Sequence, residues 1–184
     1  IMLLTTIIAD AIILSLIPIL QKEKRQYGLE GKNKLTNNML NSLGIFSIFL
    51  LVLAYAIGPQ LIKIMGTSFT KGELYKIIRL FRLGLPMIIL HVIRAIYGGY
   101  LQADHAFKAG AKGGVSSQLA FIIYLLFFAE FFGLEGLMIT GTIAVISQIY
   151  FLFKAMKVKG FTYRWKLDLN DRYLPRLLRF LIPI

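Results

Sequence analysis

Apolar positions along this chain gather into blocks of about twenty residues, separated by short basic or glycine-bearing connections. The blocks run over residues 1–20 ("IMLLTTIIADAIILSLIPIL"), about 39–64, about 77–102, about 114–132 and about 134–153, and a further one begins near Leu174. A helix rising ~1.5 Å per residue crosses a ~30 Å hydrocarbon core in roughly twenty residues. Lone segments in lipid must satisfy their own backbone hydrogen bonds, and the strands of a barrel would be about half as long, so each block is predicted to be a helix. The expected fold is all-α. It is a polytopic transmembrane helical bundle of about five complete spans plus the start of a sixth, with residues 1–184 as one transmembrane region.

Composition strengthens this picture. Hydrophobic residues make up 57% of the 184, and mean hydropathy is +0.70, whereas soluble domains run about 45–50% apolar with glycine counted. The first block begins at Ile1 with no charged stretch before it and no small-residue cleavage site after it, so it is not read as a signal peptide. The sequence opens inside one apolar run and stops at "RFLIPI" inside another, which reads as the interior of a longer chain. Zero cysteines exclude disulfides and thiol chemistry, and the two histidines, His91 and His105, lie about four helical turns apart. No phosphate-binding glycine loop, Ser/His/Asp set or zinc motif is present, so neither catalysis, a metal nor a cofactor is expected.

The net charge of +12 does not point to nucleic acid, because the cations sit at the ends of apolar blocks, where they set topology and meet anionic headgroups. The first, third and fifth connections carry five, two and eight Lys or Arg, fifteen together; the second carries five and the fourth none. The positive-inside rule therefore places the odd connections in the cytoplasm. The first span then runs from outside to inside, and at least one more span is expected upstream of Ile1.

Ionisable side chains inside spans are the sharpest signal. Each costs about 2.5–3.5 kcal/mol at mid-span on insertion scales and usually faces a bundle interior or a hydrated cavity. Asp10 lies about ten residues before the cytoplasmic end of its span and Arg94 about eight before the end of its own. At ~1.5 Å per residue both sit ~12–15 Å deep from the same side, so they can meet. His91 lies one turn deeper than Arg94. Two readings stand side by side: a buried pair that fixes helix packing, or a cationic cavity wall in which the guanidinium fork holds a lipid phosphate or pyrophosphate. Arg79 and Arg82 near the outer end suit snorkelling, Gly84 with Pro86 suits a bend, and Ser116, Ser117, Gln118, Ser147 and Gln148 suit bridges between helices.

In the fifth connection, Asp168, Asn170 and Asp171 offer N-cap oxygens for a helix from Leu174, with Pro175 in its first turn. Arg172, Arg176 and Arg179 fall on one face of that start. They read as headgroup anchors, or as contacts to a lipid pyrophosphate.

The runs "RLFRLGLP…IYGGYLQADHAFKAGA" and "GLEGLMITGTIAVISQIYFLFKAMKVKGFTYRWKLDLNDRYLPRLLRFLIPI" resemble the MurJ (MviN) family of lipid II flippases. Arg82 and Pro86 match its R-x-x-x-P run, and Gly99, Leu101, Gln102 and Ala103 its G-x-L-Q-A run. Gly133, Leu134, Gly136 and Leu137 approach its G-(I/L)-x-G-L-A run, with Met138 in place of a small residue. Gly160, Phe161, Asp168, Asp171 and Pro183 follow the lead into its seventh helix.

The resemblance implies the N-terminal lobe of a two-lobe exporter fold in a bacterial inner membrane. It also implies alternating-access transport of lipid II, an undecaprenyl-pyrophosphate-linked headgroup, rather than an enzymatic reaction. Membrane lipids and cell-wall synthesis proteins are the implied partners, with no nucleic acid. The principal substrate-binding arginines of the family lie in segments outside this sequence. Arg94, His91 and Asp10 therefore stand on the physical argument, joined by Gln102 as candidate cavity residues. Rival readings are export of another polyprenyl-linked glycan, a cation-coupled drug antiporter, which should have a carboxylate-rich interior, and a non-transporting membrane scaffold or degenerate remnant.

Overall fold

The computed structural model describes residues 2–67, 69–168 and 173. Five helices follow one another: α1 (Met2–Met65), α2 (Lys71–Gly84), α3 (Met87–Gln102), α4 (Lys108–Phe127) and α5 (Ala129–Val158). Among the described residues there is no strand. Three helical stretches are long and apolar enough to cross a membrane: Ala9–Met65, Lys108–Phe127 and Ala129–Val158. The chain is an all-α bundle with the build of a transmembrane protein.

The first connection differs from its sequence reading. Residues 21–34 are helical rather than a loop, broken at Gly28 alone, where φ is 66° and ψ is −158°. That positive φ strains any residue with a Cβ, so one glycine divides α1 into two arms, residues 2–27 and 29–65. The block over 77–102 is likewise divided. α2 ends at Gly84, and α3 restarts after Leu85 and Pro86, both still right-handed helical. Proline has no N–H to give the preceding turn, so the hydrogen-bond ladder is interrupted there although the backbone keeps a right-handed helical course. α3 alone rises about 24 Å, short of a ~30 Å core.

α3 packs between α1 and α5, α4 pairs with α5, and α2 touches α1 and α5. The first arm turns Ala9, Ile12, Ile13, Leu16, Ile19 and Leu20 inward at helical spacing, against Ala95, Ile96, Tyr100 and Leu101 of α3. A Cβ on Gly99 would stand 3.2 Å from that of Leu16, so the glycine is what lets the two helices lie this close. In lipid such fit supplies van der Waals contact in place of a hydrophobic drive. The other faces of the second arm, α4 and α5 expose Phe49, Val52, Leu125, Leu126, Phe131 and Ile143, the surface a bilayer would cover.

Between α4 and α5 the chain reverses at Phe128. Gly133 (φ 51°) then restarts the helix, and the Tyr124 hydroxyl donates to its carbonyl. Ser116 and Ser147 meet at 3.0 Å across the same pair, while Ser117 bonds back to Gly114 within α4.

Candidate functional site

Arg94 of α3 and Asp10 of the first arm form an ion pair, with Nη2 3.6 Å from Oδ1. The guanidinium is mostly covered, whereas the carboxylate is more than half exposed. His91, one turn away on α3, is buried, and its Nδ1 has no hydrogen-bond partner among the described residues; nor has Arg94 Nε. The pair links α1 to α3 and leaves part of the guanidinium's donor fork uncommitted.

Arg94 also lines a cavity of about 210 Å³ between α1, α3, α4 and α5. Its polar wall is Arg94 and Gln102 of α3 and Gln148 of α5; Ile13, Leu101 and Leu152 line much of the rest. Three of the four residues singled out as cavity candidates thus converge: Arg94 and Gln102 on the wall, with Asp10 on the arginine. His91 lies behind them, outside the lining. Ligand pockets usually measure ~300–1,000 Å³. This one suits a phosphate-sized group or a few waters, and a glycan headgroup needs a larger space. Arg172, Arg176 and Arg179 lie outside the described residues.

A denser polar cluster occupies the end of the bundle where α3 and α5 finish. Asp104 places Oδ1 2.8 Å from Lys24 Nζ and Oδ2 2.9 Å from Lys32 Nζ. The two lysines lie four residues to either side of Gly28, so one carboxylate ties both arms of α1 to the end of α3. Lys32 is fully buried, and its ammonium also sits 3.7 Å over the centre of the Tyr100 ring. Burial lowers the Lys32 pKa, against the pull of Asp104. Burial works against ionisation of Asp104 too, but the contacts and charges of Lys24 and Lys32 together outweigh it and hold the carboxyl below its ordinary range.

Beside this cluster, the second arm grips the chain that follows α5. Asn33 Nδ2 donates to Gly160 O (2.9 Å), Asn37 to Thr162 O (2.9 Å), Asn41 to Lys166 O (2.7 Å) and Asn38 to Asp168 O (3.0 Å). Asp168 N–H returns a bond to Asn38 Oδ1 at 2.6 Å, and the Tyr163 hydroxyl donates to Asn41 Oδ1 at 2.8 Å. Asn33, Asn37 and Asn41 stand one turn apart, ~6 Å per step. Further on, the Tyr173 hydroxyl donates to Glu23 Oε1 at 2.9 Å, returning the chain to the first arm.

The family profile of the lipid II flippase MurJ matches residues 1–184. The chain belongs to the MurJ lipid II flippase family. It is 24% identical over 175 residues to the probable lipid II flippase MurJ of Rickettsia prowazekii (strain Madrid E). That match covers 94% of this chain and 34% of the relative, so the chain spans about a third of that curated relative's length.

Within this MurJ-family chain, sequence reasoning missed both the Asp104 cluster and the asparagine grip. The Asn33, Asn37, Asn41 spacing was the available signal, since amides one turn apart ahead of an apolar run imply something polar to bind. Nothing local to Asp104 names lysines some seventy and eighty residues earlier. Arg79 and Arg82 have definite partners instead of snorkelling alone: Arg79 reaches Glu135 at 2.8 Å, and Arg82 lies 4.7 Å from the centre of the Tyr55 ring. Among the described residues no group of His, Cys, Asp and Glu could hold a metal ion.

Proposed function

We propose that the protein containing this chain is a lipid II flippase of the bacterial inner membrane, and that these residues build its N-terminal, multi-pass lobe. The observation that carries the reading is the family match across the whole chain. The three long apolar helical stretches support its membrane location. The protein makes and breaks no bonds. It lowers the barrier for a charged headgroup to cross hydrocarbon by offering a hydrated, cationic path, while the polyprenyl tail stays in lipid. Rocking of two lobes about that path would expose it to each leaflet in turn.

The small cavity at Arg94 gives this lobe a specific part in the path. It is too small for the sugars, so the disaccharide and peptide travel between the lobes, and Arg94 with Gln102 and Gln148 meets a phosphate at the margin. Asp10 holds the guanidinium in place and partly neutralises it, which keeps phosphate binding weak enough for release. The Arg94–Asp10 pair, in place of a carboxylate-rich interior among the described residues, favours this reading over a cation-coupled drug antiporter.

The test is outer-leaflet access to lipid II in cells that rely on the full reading frame, with and without Arg94→Ala. Loss of one charge-assisted contact of ~1.5–3 kcal/mol predicts roughly a ten- to hundredfold drop in flipping. Undiminished flipping in a variant present at normal level would remove Arg94 from the path.

A further inference from the structure

The asparagine grip fixes more than a loop. Asn41 lies eight positions along the helix from Asn33, about 12 Å of rise, and the gripped segment climbs with them from Gly160 to Lys166. Asn41 lies one turn before the exposed apolar run that opens with Ile45 and Phe46. The segment "TYRWK" is therefore held where the polar end of the bundle gives way to its lipid-facing surface. Tyr163 and Trp165 are 54% and 70% exposed there, the amphipathic ring types that favour the headgroup level.

A pocket of about 670 Å³ opens between this segment and the second arm of α1. Lys34, Arg164 and Lys166 line it against a single acid, Glu30, with Trp165 at its side and Asn37 beneath. Lys34 and Arg164 are exposed, and neither makes an ion pair among the described residues. A bare cationic loop would be an unremarkable solvated feature. Here four asparagine side chains pin the backbone that carries Arg164, Trp165 and Lys166. Fixing the backbone removes part of the ordering cost of binding. Two cations without an ion-pair partner among the described residues, on separate elements, then converge on one volume large enough for a lipid headgroup.

We propose that this pocket binds the phosphate of an anionic phospholipid in the adjoining leaflet. Arg164 supplies a planar fork for two phosphate oxygens, Lys34 supplies a point charge from the helix, and Trp165 rests against the glycerol and upper acyl region. The bound lipid would fasten the α5 connection to the membrane surface. The site rests on the membrane reading of the chain and needs no flipping activity.

The experiment uses the full-length protein, delipidated and titrated with phosphatidylglycerol or phosphatidylcholine, with adducts counted by native mass spectrometry. The wild type should prefer phosphatidylglycerol. Lys34→Gln with Arg164→Gln should weaken its first binding step about tenfold, the equivalent of ~1.4 kcal/mol, and leave phosphatidylcholine unchanged. Lys34→Arg with Arg164→Lys should keep the preference. Arg164→Gln alone, at an exposed position that folding tolerates, should give an intermediate loss. A doubly substituted protein that binds phosphatidylglycerol like the wild type would overturn the proposal. So would equal loss of both lipids, or displacement of phosphatidylglycerol by soluble glycerol phosphate, which would make the pocket a site for free phosphates. A protein that binds phosphatidylglycerol in this way yet flips no lipid II would overturn the function proposed above and leave this site standing.

Discussion

Asp104 holds the fully buried ammonium of Lys32 at 2.9 Å, although 71 residues separate them along the chain. Its second oxygen takes Lys24 from the far side of the Gly28 break, so the angle between the arms of α1 is tied to the end of α3. Removing one partner of a buried pair leaves the other charge without compensation, at a cost of about 3–5 kcal/mol. Asp104→Asn should therefore lower the melting temperature of the purified full-length protein far more than Lys24→Gln, whose side chain is 45% exposed. Equal, small effects from the two substitutions would remove the pair as a structural tie.

The same cluster predicts a pH dependence. The Asp104 carboxyl titrates below its ordinary value, and an unperturbed aspartate titrates near ~3.9. Its contribution to stability is complete above about pH 4 and disappears as pH falls through the lower, folded value. The gap in melting temperature between the wild type and Asp104→Asn should stay level from neutral pH to about 4, then close below it. A gap that closes between pH 7 and 5 would contradict this assignment.

The grip on the α5 connection is testable by hydrogen exchange. Asn38 both donates to Asp168 O and accepts its N–H. Asn38→Ala should free the Asp168 amide to exchange at least tenfold faster and leave the amides of α5 unchanged. A buried group left unsatisfied costs ~1–3 kcal/mol, so removing Asn37 and Asn41 together should also expose 160–168 to protease. Unchanged protection would mean that packing of Phe161, not the amides, holds the segment.

Much of the architecture was legible because bilayer thickness constrains sequence so strongly. Blocks of about twenty apolar residues admit few alternatives to helices, and a depth count along two spans was enough to bring Asp10 and Arg94 within reach. The breaks were harder to read. Gly28 stands in a polar stretch that looks like a loop, yet its neighbours stay helical, because the pairing of Lys24, Lys32 and Asp104 and the asparagine bonds satisfy what a solvated loop would leave to water. Pro86 announced a bend but not that α2 and α3 would divide there. The polar end of the bundle depends on contacts between residues 33–41 and 160–168, a separation at which helical periodicity carries no information.

Close packing of α4 on α5 yields a further prediction. A Cβ at Gly113 would stand 3.2 Å from the backbone Cα of Gln148, with no flexible side chain to yield. Gly113→Leu should force the helices apart, break the Ser116–Ser147 contact and disturb the cavity wall that Gln148 provides. Cysteines placed at 116 and 147 should then cross-link well in the wild-type background and poorly beside Gly113→Leu. Equal cross-linking in both would show that the interface accommodates the larger side chain.

Complementation tests the central claim most directly. The whole reading frame would be expressed in a bacterial strain depleted of its lipid II flippase, with growth and inner-leaflet lipid II followed over time. Restored growth and no accumulation of inner-leaflet lipid II are expected. Continued accumulation, despite verified insertion of the full-length protein in the membrane, would contradict that claim.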